Sequence, residues 1–378
     1  MKAPGFWHRG GVLPTVLTPA SWLYRTAASL KSSFISPYQA PVPVLCVGNL
    51  IAGGAGKTPV ALALGRALVR RGLKVAFLSR GYGGRETGPL QVLPDRHSAR
   101  DVGDEPLLLA EAAPTWIARD RAAGARMAAE AGADIILLDD GFQNPALAKT
   151  MSVLVVDGGY GFGNGHVIPA GPLREPVSQG LARADAVMLL GGDPGNLEGA
   201  LNERLPVFRG HLTPTRASAG LRGERAIAFA GIGRPGKFFD TLRTLGVELI
   251  ATRSFGDHEP YRGEDLIDLI AQAEQEDALL LTTSKDHVRL PEELRLHQNG
   301  RVDAHIEPVD PPVQMRPGRP AGRADRPDLH ATLHFLANLH CDRLHMQKGR
   351  AEAVPVIDDH GAAGIIEIRL RQPDNPAS

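Results

Sequence analysis

The chain has 378 residues, 43% hydrophobic and 22% charged, a balance that supports packed cores and excludes a mainly disordered, collagenous or coiled-coil protein. Its 42 lysines and arginines equal its 42 aspartates and glutamates, so no basic excess points to nucleic acid, and an anionic ligand has to be met by a local site. Cys46 and Cys341 are too few and too far apart for a secreted disulfide framework, and the length leaves room for two domains.

At the N-terminus, Lys2, His8 and Arg9 precede an apolar stretch broken by Pro14 and Pro19, with no small-residue cleavage site after it, which is not a signal-peptide pattern. No apolar run reaches the roughly 18 residues needed to span a bilayer. Between Val12 and Phe34, the apolar Leu13, Val16, Trp22, Leu23 and Leu30 alternate with Arg25, Lys31 and several hydroxyls. That mixture fits a helix lying in a membrane interface, or equally one packed on its own domain.

From Pro43 short apolar runs alternate with helical stretches, the signature of a parallel sheet covered by helices. Strands are expected at 42–47, 75–79, 115–118, 135–139, 153–157 and 186–190. A helix is expected over 57–71, stopped by Gly72. The polar, glycine- and arginine-rich stretch 81–103 reads as a functional loop or small hairpin insertion. After Thr213 a smaller α/β unit is expected, with strands at 226–230, 248–254 and 278–282 and helices at 235–245 and 263–275. From Val309 proline and arginine dominate, as in a linker, followed by a helix-like segment at 329–344 and a β-like run at 364–370. The division is then an N-terminal helical segment 1–40, a core domain 41–212, a smaller α/β domain 213–307, and a linker and tail 308–378. The fold class is α/β: a P-loop NTPase-like, mostly parallel sheet flanked by helices, with the second α/β domain and the N-terminal amphipathic helix appended.

The motif "VLCVGNLIAGGAGKTPVALALGRAL" runs an apolar strand into Gly53, Gly54, Ala55, Gly56, Lys57 and Thr58 and then into a helix. In such a loop backbone amides and the helix N-terminus cradle phosphate, the lysine reaches the outer phosphates and the threonine hydroxyl ligates magnesium. The strict spacing asks for glycine at 51, where this chain has Ile51, with Gly48 three residues upstream. In "ADIILLDDGFQN" four apolar residues end in Asp139 and Asp140, where a magnesium-linked carboxylate belongs beside a P-loop. Two adjacent aspartates repel unless a cation or donor sits with them. Composition alone reads Asp104 in "DVGDEPLLLAEAA" as an acid favouring a helix start. Arg80 and Arg119, each just past a strand, are candidate phosphate clamps, and Asp257, His258, Lys285 and Asp286 fall in loops after strands. The tail histidines His330, His334, His340 and His345, with Cys341, show no complete metal-ligand spacing. At this point another P-loop ATPase or GTPase, and a nucleotide-binding switch without turnover, stay open beside a kinase.

The ordered stretches "VGNLIAGGAGKTP", "LSRGYGG", "VGDEPLLLA", "LDDGFQN", "GFGNGHVIPAGPLREP", "AFAGIGRPGKFF", "SFGDHEPY" and "LLTTSKD" resemble the tetraacyldisaccharide 4'-kinase family of lipid A biosynthesis. The resemblance implies transfer of the γ-phosphate of ATP, with Mg2+, to the 4'-hydroxyl of a tetraacylated glucosamine disaccharide 1-phosphate. It also implies a peripheral or monotopic place on the cytoplasmic face of a bacterial inner membrane, with that lipid and the membrane surface as partners and no nucleic acid or obligate protein partner. Under it Lys57 and Thr58 serve the phosphates and magnesium, and Asp139 and Asp140 form the metal-linked pair. Asp104 and His258 become a catalytic pair, overturning the blander reading of Asp104. Arg119, Gln143, Arg174 and Glu175 become further active-site positions. Where the family has histidine after "DDGFQ", this chain has Asn144.

Overall fold

The computed structural model describes residues 4–212 and 220–290, together with the strand segments His305–Ile306, Val313–Pro317 and Ile366–Arg369. The expected helix at 329–344 and the tail histidines lie outside the described residues. Two sheets organise the chain. The first draws on β1 (Val44–Gly48), β2 (Val75–Ser79), β3 (Leu90–Gln91), β4 (Thr115–Ile117), β5 (Ile135–Asp139), β6 (Met151–Asp157), β7 (Ala186–Leu190) and β8 (Val207–Leu212). The second draws on β9 (Arg225–Ala230), β10 (Glu248–Ser254), β11 (Leu279–Thr282), β12 (His305–Ile306) and β14 (Ile366–Arg369), while β13 (Val313–Pro317) returns to the first sheet.

The spatial order of the first sheet is β13-β8-β7-β6-β1-β5-β2-β4-β3, parallel from β8 to β4 and closed by antiparallel strands at both edges. Parallel strands covered on both faces bury every side chain, which is why β1, β2, β6 and β7 read as continuous apolar runs rather than alternating ones. The chain leaves β1 toward β2 on one side and returns from β5 to β6 on the other. The loops after β1 and β5 therefore open together at the crevice where strand order reverses, and an open α/β sheet binds its ligands there. Register tightens this: Val47 pairs with Asp139, and the Asp140 amide donates to the Val47 carbonyl at 3.0 Å.

Helices α3 (Lys57–Arg70), α5 (Asp104–Ala110) and α6 (Arg121–Glu130) cover this sheet. α3 buries its Val60, Leu64 and Leu68 face against a core that includes Phe77, each such side chain contributing about 1.5–3 kcal/mol relative to exposure. It stops where Gly72 turns left-handed, at φ 83°. α6 starts because the Asp120 side chain accepts from the amides of Ala122 and Ala123. Within the stretch expected as a loop, two residues form β3 and one turn forms α4 (Ala99–Val102), capped by a Ser98–Asp101 box.

The second sheet is ordered β10-β9-β11-β14-β12, with β10, β9 and β11 parallel. α9 (Pro235–Thr244) and α10 (Gly263–Gln275) pack on its two faces through Phe238, Phe239 and Leu242 on one side and Leu266 and Leu269 on the other. The proline- and arginine-rich stretch expected as a linker supplies β13, which pairs antiparallel with β8. The β-like run supplies β14.

At the N-terminus, α1 (Phe6–Arg9) leads into α2 (Val12–Ser33). One face of α2 docks on the first unit: buried Ser21 donates to the Val167 carbonyl at 2.7 Å and accepts from the Ala170 amide. The opposite face leaves Val16, Trp22 (67% exposed), Leu23 (75%) and Leu30 bare. No helix among the described residues is long and apolar enough to cross a membrane.

Candidate active site

The loop after β1 has the backbone freedom that the sequence asks of it. Gly53 and Gly56 take φ of 121° and 84°, and nothing stands within 4 Å of where a side chain on Gly53 or Gly54 would project. The departures from strict spacing also have a physical reason. Ile51 is buried and bridges Leu173, while the Ala52 amide donates to the Pro172 carbonyl at 2.7 Å, so the loop is stitched to the "GPLREP" segment. Gly48 is required because a Cβ there would fall 2.4 Å from that of Phe142.

Lys57 and Thr58, the first residues of α3, face the end of β5. Lys57 Nζ lies 3.6 Å from Asp140 Oδ2, and the Thr58 hydroxyl donates to Asp139 Oδ2 at 3.4 Å. Arg174 grips Asp140 with two nitrogens, at 2.9 and 3.2 Å, and also donates to Gln143 Oε1. Gln143 in turn donates to the Asn49 carbonyl and to Glu175 Oε1, and Glu175 is paired with Arg183. Seven of the expected residues thus meet around the strand ends: Lys57, Asp140, Arg174, Gln143 and Glu175 share one network, and Thr58 bonds to Asp139 beside it.

The two adjacent aspartates avoid repulsion by dividing their environments. Burial pushes the Asp140 carboxyl up, but Lys57 and Arg174 outweigh it and hold it below the ordinary carboxylate value. Asp140 also sits at φ 51°, a strained backbone for a non-glycine residue. Asp139 is 1% exposed and goes the other way: burial, then the negative charge of Glu105, drives it up against the pull of Lys57. Its Oδ1 is buried without a hydrogen-bond partner. An orphaned carboxylate oxygen beside a threonine hydroxyl is an all-oxygen donor set that suits a hard cation such as magnesium. No cluster of three or more histidine, cysteine or carboxylate ligands occurs among the described residues, and magnesium held by one or two carboxylates plus phosphate oxygens needs none.

A second cluster joins the two units. Asp104, the first residue of α5 and 3% exposed, accepts from the Glu105 amide through Oδ1, and His258 Nδ1 lies 3.1 Å from its Oδ2. Burial raises the Asp104 carboxyl, yet His258, Lys285 and Arg289 together bring it below its ordinary value. His258 takes a left-handed φ of 59°, its amide donates to the Gly231 carbonyl, and its ring meets the edge of Tyr82 at 5.2 Å. Residue-level reading of the sequence put Lys285 and Asp286 in a loop after a strand without joining them to this pair; they stand in a short helix beside it. Lys285, in α11 (Ser284–His287), reaches Glu105 Oε1 at 3.1 Å and His258 Nε2 at 3.2 Å. Fully buried Asp286 accepts from the Gly231 amide, the Tyr261 and Thr283 hydroxyls and Arg289, and so fixes the loop that receives His258. The signal for both was "SKD" directly after a buried strand.

Two expected positions behave otherwise. Arg119 is exposed past β4, its amide held by the Thr87 carbonyl, and its side chain joins neither cluster. Asn144, in the place of the family's histidine, turns its side-chain oxygen to the Ala146 amide at 2.9 Å and closes its own turn.

A glycine-rich loop opening a helix at the strand reversal, with an acidic pair beside it, defines a P-loop enzyme of the phosphoryl-transfer class. The comparisons carry this to a family. The model described as tetraacyldisaccharide-1-P 4'-kinase matches residues 13–315. A tetraacyldisaccharide 4'-kinase of Rhodospirillum centenum is 58% identical over 301 residues, covering 78% of this chain and 89% of that protein. One from Gluconacetobacter diazotrophicus is 55% identical, covering 84% and 97%. A crystal structure of "apo" form LpxK from Aquifex aeolicus in complex with ATP superposes with a TM-score of 0.57 at 29% identity, covering 74% of this chain and 90% of that one. The chain belongs to the tetraacyldisaccharide 4'-kinase family.

Proposed function

We propose that this chain transfers the γ-phosphate of ATP to the 4'-hydroxyl of a tetraacylated glucosamine disaccharide 1-phosphate, a step of lipid A biosynthesis. The observation that carries the reading is the contact of Asp104, at the start of α5, with His258 of the second unit, in a chain that also carries the glycine-rich loop and Lys57. Gly53, Gly54, Ala55 and Gly56 offer backbone amides to the phosphates, and Lys57 offsets charge on the γ-phosphate. Thr58 and Asp139 would hold magnesium, which would supply positive charge to the phosphate oxygens. Asp140 is kept ionised and oriented by Arg174, itself braced by Gln143 and Glu175. Arg119, open to solvent, is left to meet an anionic group of the ligands.

A sugar hydroxyl is a weak nucleophile, so the site has to hold it in line with the γ-phosphorus and remove its proton as the new O–P bond forms and the bond to ADP breaks. The Asp104–His258 pair takes that proton. Incubation with ATP, magnesium and the acylated disaccharide 1-phosphate, followed by mass analysis, is expected to show one added phosphate on the lipid. ATP hydrolysis alone, or nucleotide binding without turnover, would overturn the reading. Asp104→Ala and His258→Ala are each expected to slow product formation by about 10²–10⁴-fold, and near-normal rates in both would sink the pair's assignment.

The lipid acceptor also gives the bare face of α2 a purpose: Trp22, Leu23 and Leu30 enter the membrane surface while Ser21 ties the helix to the enzyme. A peripheral seat on the cytoplasmic face of the inner membrane is part of this proposal. Co-sedimentation with anionic vesicles should fall when Trp22 and Leu23 are both changed to glutamate, and unchanged sedimentation would defeat the idea.

A further inference from the structure

The imidazole of His258 has two different neighbours at each end, and they make conflicting demands. Nδ1 faces Asp104 Oδ2 at 3.1 Å, an oxygen that also has Arg289 Nε at 3.8 Å. Nε2 faces Lys285 Nζ at 3.2 Å and Asp257 Oδ1 at 3.7 Å. Glu105 reaches the ring only through Lys285, and Tyr82 meets it edge-on. A neutral imidazole carries one N–H and one lone pair, and the partner at one nitrogen decides the state of the other. Asp257 calls for an N–H at Nε2. An ammonium has three donors and no lone pair, so Lys285 calls for the lone pair there, and it is the nearer of the two.

We propose that Lys285 is a positioning residue of the reaction: by donating to Nε2 it fixes His258 in the tautomer whose single N–H, on Nδ1, points at Asp104. This rests on the kinase reading above for its place in the reaction, though not for the tautomer itself. Without Lys285 the neighbouring Asp257 draws the proton to Nε2. The ring then turns a lone pair toward the Asp104 carboxylate, and the pair that receives the hydroxyl proton comes apart without either of its members having been changed. Lys285 is itself aimed from the opposite unit by Glu105, at 3.1 Å. Burial opposes its charge, but Glu105, Asp104 and Asp257 outweigh burial and raise its pKa, so it stays an ammonium and a donor. Asp257 Oδ1 and Asp104 Oδ2 are both buried with no hydrogen bond of their own, so the two carboxylates compete for the single N–H of the ring, and Lys285 at Nε2 decides between them.

The test is the long-range 1H–15N spectrum of the full chain labelled with 15N-imidazole histidine, His258 being assigned by its loss in His258→Gln. Wild type is expected to show the Nδ1–H pattern, Lys285→Arg to keep it, and Lys285→Met to move the population to Nε2–H. Lys285→Met should lower kcat about 10–100-fold with KM for ATP within about twofold, the usual size of an orienting partner's effect. An Nε2–H pattern in wild type overturns the proposal without any variant having to fold, and so does an Nδ1–H pattern that survives in folded Lys285→Met. Because the spectrum is read without substrate, failure to phosphorylate the lipid alongside the expected wild-type and Lys285→Met tautomers would count against the kinase reading and leave the tautomer control standing.

Discussion

The two halves of the site are built on different principles. Around Lys57, Asp139, Asp140 and Arg174 every side chain comes from the first unit, and the β1–β5 register together with the hydrogen bonds that join the loop after β1 to the loop carrying Arg174 sets their spacing. Around Asp104 and His258 the participants come from separate sheets, and their spacing depends on a few polar bridges: Lys285 to Glu105, and Asp157 at the end of β6 to Arg234 and Lys237 at the start of α9. The half around Lys57 is therefore preformed, while the half proposed to take the proton exists only when the two units meet. Substitutions should separate accordingly into those that weaken phosphate handling and those that loosen assembly.

In the preformed half the effect should be large. Lys57→Met is expected to lower kcat/KM by about 10²–10³-fold through loss of a placed cation, with thermal stability little changed because Asp140 keeps Arg174. A loss under tenfold would break the contrast.

Next in size, Asp104→Asn should destabilise the fold by about 1–3 kcal/mol near neutral pH, because it removes the buried carboxylate charge that faces His258 at 3.1 Å and Arg289 at 3.8 Å, although Arg289 keeps Asp286. Asp104 titrates lower folded than unfolded, so its contribution is complete above the unfolded value near 3.8 and disappears as pH falls through the folded one. Urea unfolding of wild type and variant should converge on acidification below that range. A gap that persists at the most acidic pH would show that the cost is one of packing.

The smallest effect should be the most diagnostic. Asp157→Asn cuts two bridges between the units, and is expected to reduce kcat by roughly tenfold, about 1.4 kcal/mol, while ATP affinity stays within about twofold. Equal losses in both would mean that the half around Lys57 is not preformed.

How much of this could be read from the amino-acid order follows the same division. Strands β2, β5 and β7 stand where continuous apolar runs place them, because strands of a parallel sheet have no polar face to interrupt the run. β8, "VFRGHL", was not legible, since Arg209 and His211 near the sheet edge break that run. Lys57, Thr58, Asp139 and Asp140 were legible as polar residues at strand and helix ends. Asp104 was not, on its own residues, because an acid at a helix start looks the same whether or not a histidine will come to meet it. Glu105 and Lys285 stand 180 positions apart, and nothing local in either stretch announces the other. Family resemblance supplied the pair; the ammonium that arbitrates between its nitrogens needed three dimensions.

The bridge between Ile51 and Leu173 has a consequence for how this enzyme can vary. Because the phosphate loop and the "GPLREP" loop are hydrogen-bonded at Ala52 and Pro172, and again where the Arg174 amide meets the Leu50 carbonyl at 2.7 Å, neither can change length alone. A single residue added to either loop would slide Arg174 out of step with Asp140. Surface loops usually absorb insertions freely; these two form one ruler, and the interval between them is fixed from both ends.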